Sequence, residues 1–153
     1  MKKVFLAAFV LGIFAVSAFA FSGDDAPAAV KASFSKLYPK VQKVKWGKED
    51  ANYEAEFDMN KSEMSCLFDA SGNLLETETE IEVSALPQIV TAYVTRNYQG
   101  EKIKEASKIV DAKNVMTYEA EVKEGDLIFD ATGAFLKKVV EAKDEKDEKD
   151  SKK

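Results

Sequence analysis

The chain of 153 residues contains no histidine and one cysteine, Cys66. Without histidine there is no side chain whose ordinary pKa lies near neutrality, no imidazole zinc ligand, and no Ser–His or Cys–His pair for nucleophilic hydrolysis. A single cysteine permits no intramolecular disulfide, so core packing must hold the fold. Cys66 sits in Met64-Ser65-Cys66-Leu67-Phe68, where alternation groups it with Met64 and Phe68 as a small buried apolar residue rather than a reactive thiol. Prolines and glycines are few, three and seven.

Long apolar runs are also missing, apart from Val4 to Val16. A spanning helix needs about 20 such residues, and this run ends sooner, at Ala18-Phe19-Ala20. With Lys2 and Lys3 ahead of it, residues 1–20 read as a signal peptide with a small-x-small cleavage site. No cysteine follows the run to carry a lipid anchor. The mature chain is expected to begin near Phe21 and to be periplasmic or secreted, with no membrane span after cleavage. Losing Lys2 and Lys3 takes the formal net charge from −5 to −7. An acidic chain without clustered Lys and Arg is not built for nucleic acid or an anionic membrane surface.

What is present is a repeat. Shifted by about sixty residues, the chain matches itself in blocks. Pro27-Ala28-Ala29-Val30 falls on Pro87-Gln88-Ile89-Val90, Phe34 on Val94 and Tyr38 on Tyr98. Tyr53-Glu54-Ala55-Glu56-Phe57 falls on Tyr118-Glu119-Ala120-Glu121-Val122, and Leu67-Phe68-Asp69-Ala70-Ser71-Gly72 on Ile128-Phe129-Asp130-Ala131-Thr132-Gly133. Each copy opens on helical spacing: Val30, Phe34, Leu37 and Tyr38, then Leu86, Val90, Tyr93, Val94 and Tyr98. Pro27 and Pro87 fall in the first turns, with Asp24 or Asp25 and Ser84 as N-caps, while Pro39 and Gly100 end the helices.

The period then changes to two. Val44 and Trp46 alternate with lysines; Tyr53, Ala55, Phe57 and Met59, like Met116, Tyr118, Ala120 and Val122, alternate with polar residues. Asp69–Gly72 and Asp130–Gly133 read as turns in which Asp bonds back to backbone N–H groups and Gly takes positive φ; Asn60-Lys61 and Glu124-Gly125 mark further hairpins. Each copy is thus a helix followed by about four short strands. One such unit has a marginal core, which a shared continuous sheet would remedy. The expected organisation is signal peptide 1–20, repeats 21–83 and 84–140, and a disordered charged tail 141–153.

Candidate chemistry centres on carboxylates. Glu54, Glu56, Glu119 and Glu121 lie on the strand face opposite the apolar one, and a carboxylate pair can hydrolyse glycosides. That needs burial and separated pKa values; the alternation instead predicts a solvated outer face. Asp69, Ser71, Asn73 and Glu80 mimic a calcium loop, but Leu74 stands where that loop needs its glycine, so no metal site and no cofactor is expected. Trp46, Tyr53 and Tyr118 fit the core face rather than a partner anchor.

The Tyr118–Val122 and Phe129–Gly133 segments, with the Pro-x-x-Val helix starts and Lys45-Trp46, resemble PepSY domains and the PepSY-like, beta-lactamase-inhibitor-like family of secreted proteins, over roughly Ala26 to Lys138. The resemblance implies an α+β fold of two tandem helix-plus-four-strand repeats, forming one continuous antiparallel sheet with both helices on one face. It brings no catalytic residues, and it implies a non-enzymatic, inhibitor-like role in which the open sheet face and hairpin tips grip a protein or peptide outside the cytoplasm. The chain departs from the beta-lactamase inhibitor in lacking its disulfides. The candidate contacts are Glu54, Glu56, Glu119 and Glu121, with Leu67 and Leu127 as apolar anchors pointing out of that face; a monomer is expected. An acidic cation-binding or envelope-stress protein and, behind it, a carboxylate-based hydrolase are the alternatives.

Overall fold

Proline fixes where each helix begins. In the computed structural model, which describes residues 26–140, α1 spans Ala28–Leu37 and α2 spans Gln88–Asn97. Pro27 (φ −54°, ψ 149°) and Pro87 (φ −53°, ψ 137°) take the N-cap position itself, one step before the first turn, and neither helix has a side-chain cap. Ser84 is therefore not a cap; it lies in a single 3-10 turn, Val83–Ala85. The expected signal peptide, the caps at Asp24 or Asp25 and the charged tail lie outside the described residues. Both helices end at a tyrosine with φ −125°, Tyr38 and Tyr98, whose N–H bonds back to Phe34 and Val94. Val30, Phe34, Val90 and Val94 are buried, whereas Leu37, which shares their spacing, is exposed.

Four strands follow each helix: β1 Lys45–Glu49, β2 Asn52–Met59, β3 Ser62–Phe68 and β4 Leu74–Glu80, then β5 Ala106–Asp111, β6 Met116–Val122, β7 Gly125–Asp130 and β8 Phe135–Val139. They form one antiparallel sheet in the order of the sequence, β1 to β8. The β4–β5 ladder, Glu76↔Asp111 through Glu80↔Ser107, joins the two units. The register shifts at Leu67/Phe68 and again at Ile128/Phe129, the same place in each unit.

The turns use the chemistry their residues suggest. Asp69 Oδ1 accepts from the N–H of Ser71 and of Asn73, and Asp130 Oδ1 from those of Thr132 and Ala134; Gly72 and Gly133 both have φ +86°. Asn60 and Lys61 take positive φ between β2 and β3, as Gly125 does at the start of β7. A further Asp turn, Asp111–Asn114, connects β5 and β6.

Both helices cover the same face of the sheet. Under α1, Phe34 meets Phe57 and Trp46 edge-on at 5.0 and 5.5 Å, with Ala55, Cys66 and Phe68 buried beneath. Under α2, Tyr93 stacks on Phe135 at 4.7 Å above Ala120, Val122, Leu127 and Phe129. Tyr53 and Tyr118 pack against these cores from the same side. The other sheet face carries no described helix.

Candidate functional site: the open sheet face

Alternation sends every second residue of each strand away from the helices. Register places Glu54 beside Gly47 on one neighbour and Leu67 on the other, with Glu76 and Asp111 continuing the row. The next row runs Lys45, Glu56, Ser65, Glu78, Ile109, Thr117 and Asp130. A third holds Glu80, Ser107, Glu119, Ile128 and Lys137. Carboxylates thus stand on alternate strands, separated by small serines on β3 and β5.

The sequence expectation of a solvated face fails at its centre. Glu54 and Glu119 are each only 8% exposed and Glu78 is 3% exposed, although no described element lies over them. Flanking strands stand about 4.8 Å away on either side, so long neighbouring side chains shield one another. Only the outer pair follows the expectation in part: Glu56 ion-pairs with Lys45 and Glu121 with Lys104, each at 2.7 Å, on half-buried carboxylates.

Burial changes the charge state of the inner group. Desolvation, with Glu56 and Glu49 adding like charge, pushes Glu54 up to about 8, against a smaller opposing hydrogen bond from Ser65. Glu76 is raised to about 7 by desolvation and then by Glu78, and Glu49 to about 7 by desolvation and then by Asp50. Desolvation also raises Glu78, which takes a hydrogen bond from Ser107, and Glu119, to which Glu78 and Asp126 add like charge. One oxygen of each of Glu54, Glu76, Glu78 and Glu119 is buried without a hydrogen-bond partner.

The apolar candidates divide. Leu67 is on the open face as expected, yet it is buried at 2% exposure between Glu54 and Glu76. Leu127 is not on that face. The Glu124-Gly125 turn pairs Leu127 with Ala120, whose side chain lies under α2, so Leu127 belongs to the helix-side core. Its place is taken by Ile128, which forms a small open-face cluster with Ile109 and Val139. The self-alignment of Leu67 with Ile128 already carried that signal. Glu76, Glu78 and Asp126 were not singled out from sequence, although Glu76-Thr77-Glu78-Thr79-Glu80 alternates in plain view.

Among the described residues no group of three or more His, Cys, Asp or Glu has metal-binding geometry. A cavity of about 490 Å³ at the β1–β3 edge is lined by Gln42–Lys45, Glu56–Asp58, Glu63 and Met64, and includes neither Glu54 nor Glu119. No described helix is long and apolar enough to cross a membrane.

This architecture has known relatives. The family profile described as "Putative beta-lactamase-inhibitor-like, PepSY-like" matches residues 15–76 and again 53–137. The chain belongs to this family. The double match fits a unit of helix and four strands used twice. No curated protein matches the chain. Among solved structures, a BLIP-like protein from Bacteroides fragilis is 28% identical with TM-score 0.61, covering 77% of this chain and 89% of that one. A DUF2874 family protein from Bacteroides ovatus is 25% identical with TM-score 0.67, covering 77% and 89%. A Bacteroides eggerthii structure described as of "putative periplasmic proteins" shares the fold at 17% identity, TM-score 0.69, covering 76% and 90%.

Proposed function

We propose that this PepSY-like protein is an exported, non-enzymatic binding module that engages a protein or peptide through its open sheet face. The observation that carries the reading is a face of eight strands left uncovered by described helices, on which Glu54, Glu76, Glu78 and Glu119 keep buried oxygens without partners. Such oxygens cost free energy unless a donor arrives. The likeness to a BLIP-like protein supports the same reading, as does the signal-like start for export. A photo-crosslinking residue at Thr117, on the open face, is expected to trap a protein partner in the native host, whereas one at Thr91 on α2 is not. Equal labelling from both positions, or none from Thr117, would reject the open face as the docking surface.

The burial of Glu54 and Glu119 favours a second reading, a carboxylate-based hydrolase. It ranks behind binding because the raised carboxylates stand among like charges and the neighbouring Glu56 and Glu121 are engaged by Lys45 and Lys104. Turnover of chromogenic glycosides, lost in E54Q or E119Q, would reverse that order.

A further inference from the structure

The open face can be assigned a ligand chemistry, an inference that rests on the binding reading above. We propose that the site centred on Glu54, Glu78 and Glu119 is built to receive cationic side chains, Arg or Lys, from an extended segment of the partner protein. Glu78 is its middle: 3% exposed, with one oxygen bonded by Ser107 and the other buried and unpartnered. Glu119 on β6 and Glu54 on β2 flank it, each 8% exposed and each with an unpartnered buried oxygen.

Two serines tie the group together. Ser65 and Ser107, both buried at 4% exposure on the strands beside β4, hydrogen-bond Glu54 and Glu78. The charge of Glu78 acts on both Glu54 and Glu119. Glu54, Glu78 and Glu119 run diagonally, each two strands and one row from the next, about 12 Å between backbones. Alternate positions on β4 are about 7 Å apart, which is also the spacing of like-facing side chains in an extended peptide. An unpaired carboxylate oxygen accepts only; a guanidinium or ammonium offers several donors and the opposite charge. Ile109, Ile128 and Val139 give the aliphatic stem of such a side chain an apolar bed beside the acids. The absence of three-carboxylate metal geometry among the described residues favours this occupant over a divalent cation.

The charge around Glu78 is one-sided. Glu49 faces it from β1, Glu54 from β2, Glu76 and Glu80 from β4, Glu105 from before β5, Glu119 from β6 and Asp126 from β7. Of the cations on this face, Lys45 and Lys104 pair with Glu56 and Glu121, and Lys137 on β8 comes close enough to Glu76 to oppose the rise in its pKa. Because burial holds protons on the inner carboxyls near neutrality, an arriving cation must displace them. Binding and proton release are then linked.

The test uses the mature full-length protein and three extended peptides that alternate Thr with Arg, Gln or Glu. Calorimetry at pH 7 in buffers of different ionisation enthalpy should show the Arg peptide binding with release of about one proton or more, and amide shifts should fall on β2, β4 and β6. E78Q and E119Q, made separately so that one misfolded variant does not void the test, should each weaken binding about tenfold and reduce the proton release. Equal binding of the Gln peptide at the same face would overturn the cationic assignment while leaving a peptide-binding face. Arg-peptide binding without proton release, or calcium binding that E78Q abolishes, would also overturn it. If no peptide shifts the open face, the assignment fails, and the Thr117 crosslink then decides whether the face binds protein at all.

Discussion

Cys66, Leu127 and Glu78 show how little a residue's type says without its neighbours. Cys66 is fully buried between α1 and the sheet, against the Tyr38 hydroxyl at 3.5 Å and Thr77 at 3.7 Å, and desolvation raises its thiol pKa. Thiol reagents should therefore modify it only on unfolding, so that the rate of labelling rises with denaturant along the unfolding curve; fast labelling of the native protein would contradict the packing. Leu127 fills the core beneath α2, and Leu127→Ala should cost about 2–5 kcal/mol in denaturant unfolding. A cost near zero would return it to the surface, where alternation alone had placed it.

Within the elements, the sequence pattern was legible where a backbone demand met a specific residue. Asp69 and Asp130 with Gly72 and Gly133 specify their turns locally, so these were readable without tertiary information. What those turns do next was not. A methyl group on Gly72 would stand 2.7 Å from the Ala29 carbonyl oxygen and 2.9 Å from Ser33 Oγ, so the β3–β4 turn is docked under the first turns of α1. Gly133 packs against α2 through side chains instead, those of Ile89, Val90 and Pro87. Gly72→Ala combines a left-handed φ with a clash against backbone, and a loss of about 2–4 kcal/mol is expected by thermal or urea unfolding. Gly100, with φ +84° but open space around it, isolates the first term: Gly100→Ala should cost about 1 kcal/mol.

Across the whole molecule, the sheet's open face makes stability depend on pH in an unusual direction. The folded protein holds protons on Glu49, Glu54 and Glu76 up to about 7 or 8, while the unfolded chain releases them near the ordinary value of 4.5. Between those values the native state binds more protons, so unfolding free energy falls as pH rises. The stabilising contribution is complete below pH 4.5 and is lost as pH climbs through about 7 to 8. Calorimetric melting should therefore give a Tm that drops between pH 5 and pH 8, and Glu54→Gln should flatten that slope and add about 1–3 kcal/mol at pH 8. A Tm that rises across this range would show that the inner carboxylates ionise freely.

The chain by itself determined its secondary structure, its duplication and its lack of histidine or disulfide chemistry, because periodicity, turn residues and composition act over a few neighbouring positions. It also determined, with Leu127 as the exception, which residues share a face of each strand, since that follows from a period of two. Tertiary structure alone decided what each face experiences. Glu54 and Glu56 are two residues apart on one strand with the same outward direction, yet one is shielded and raised while the other pairs with Lys45. The difference comes from neighbours brought alongside only when the sheet is assembled: Gly47 and Leu67, with Glu76 beyond, flank Glu54, whereas Lys45 and Ser65 flank Glu56. Burial of a carboxylate is a property of its neighbours across strands, and no local pattern in the chain encodes it.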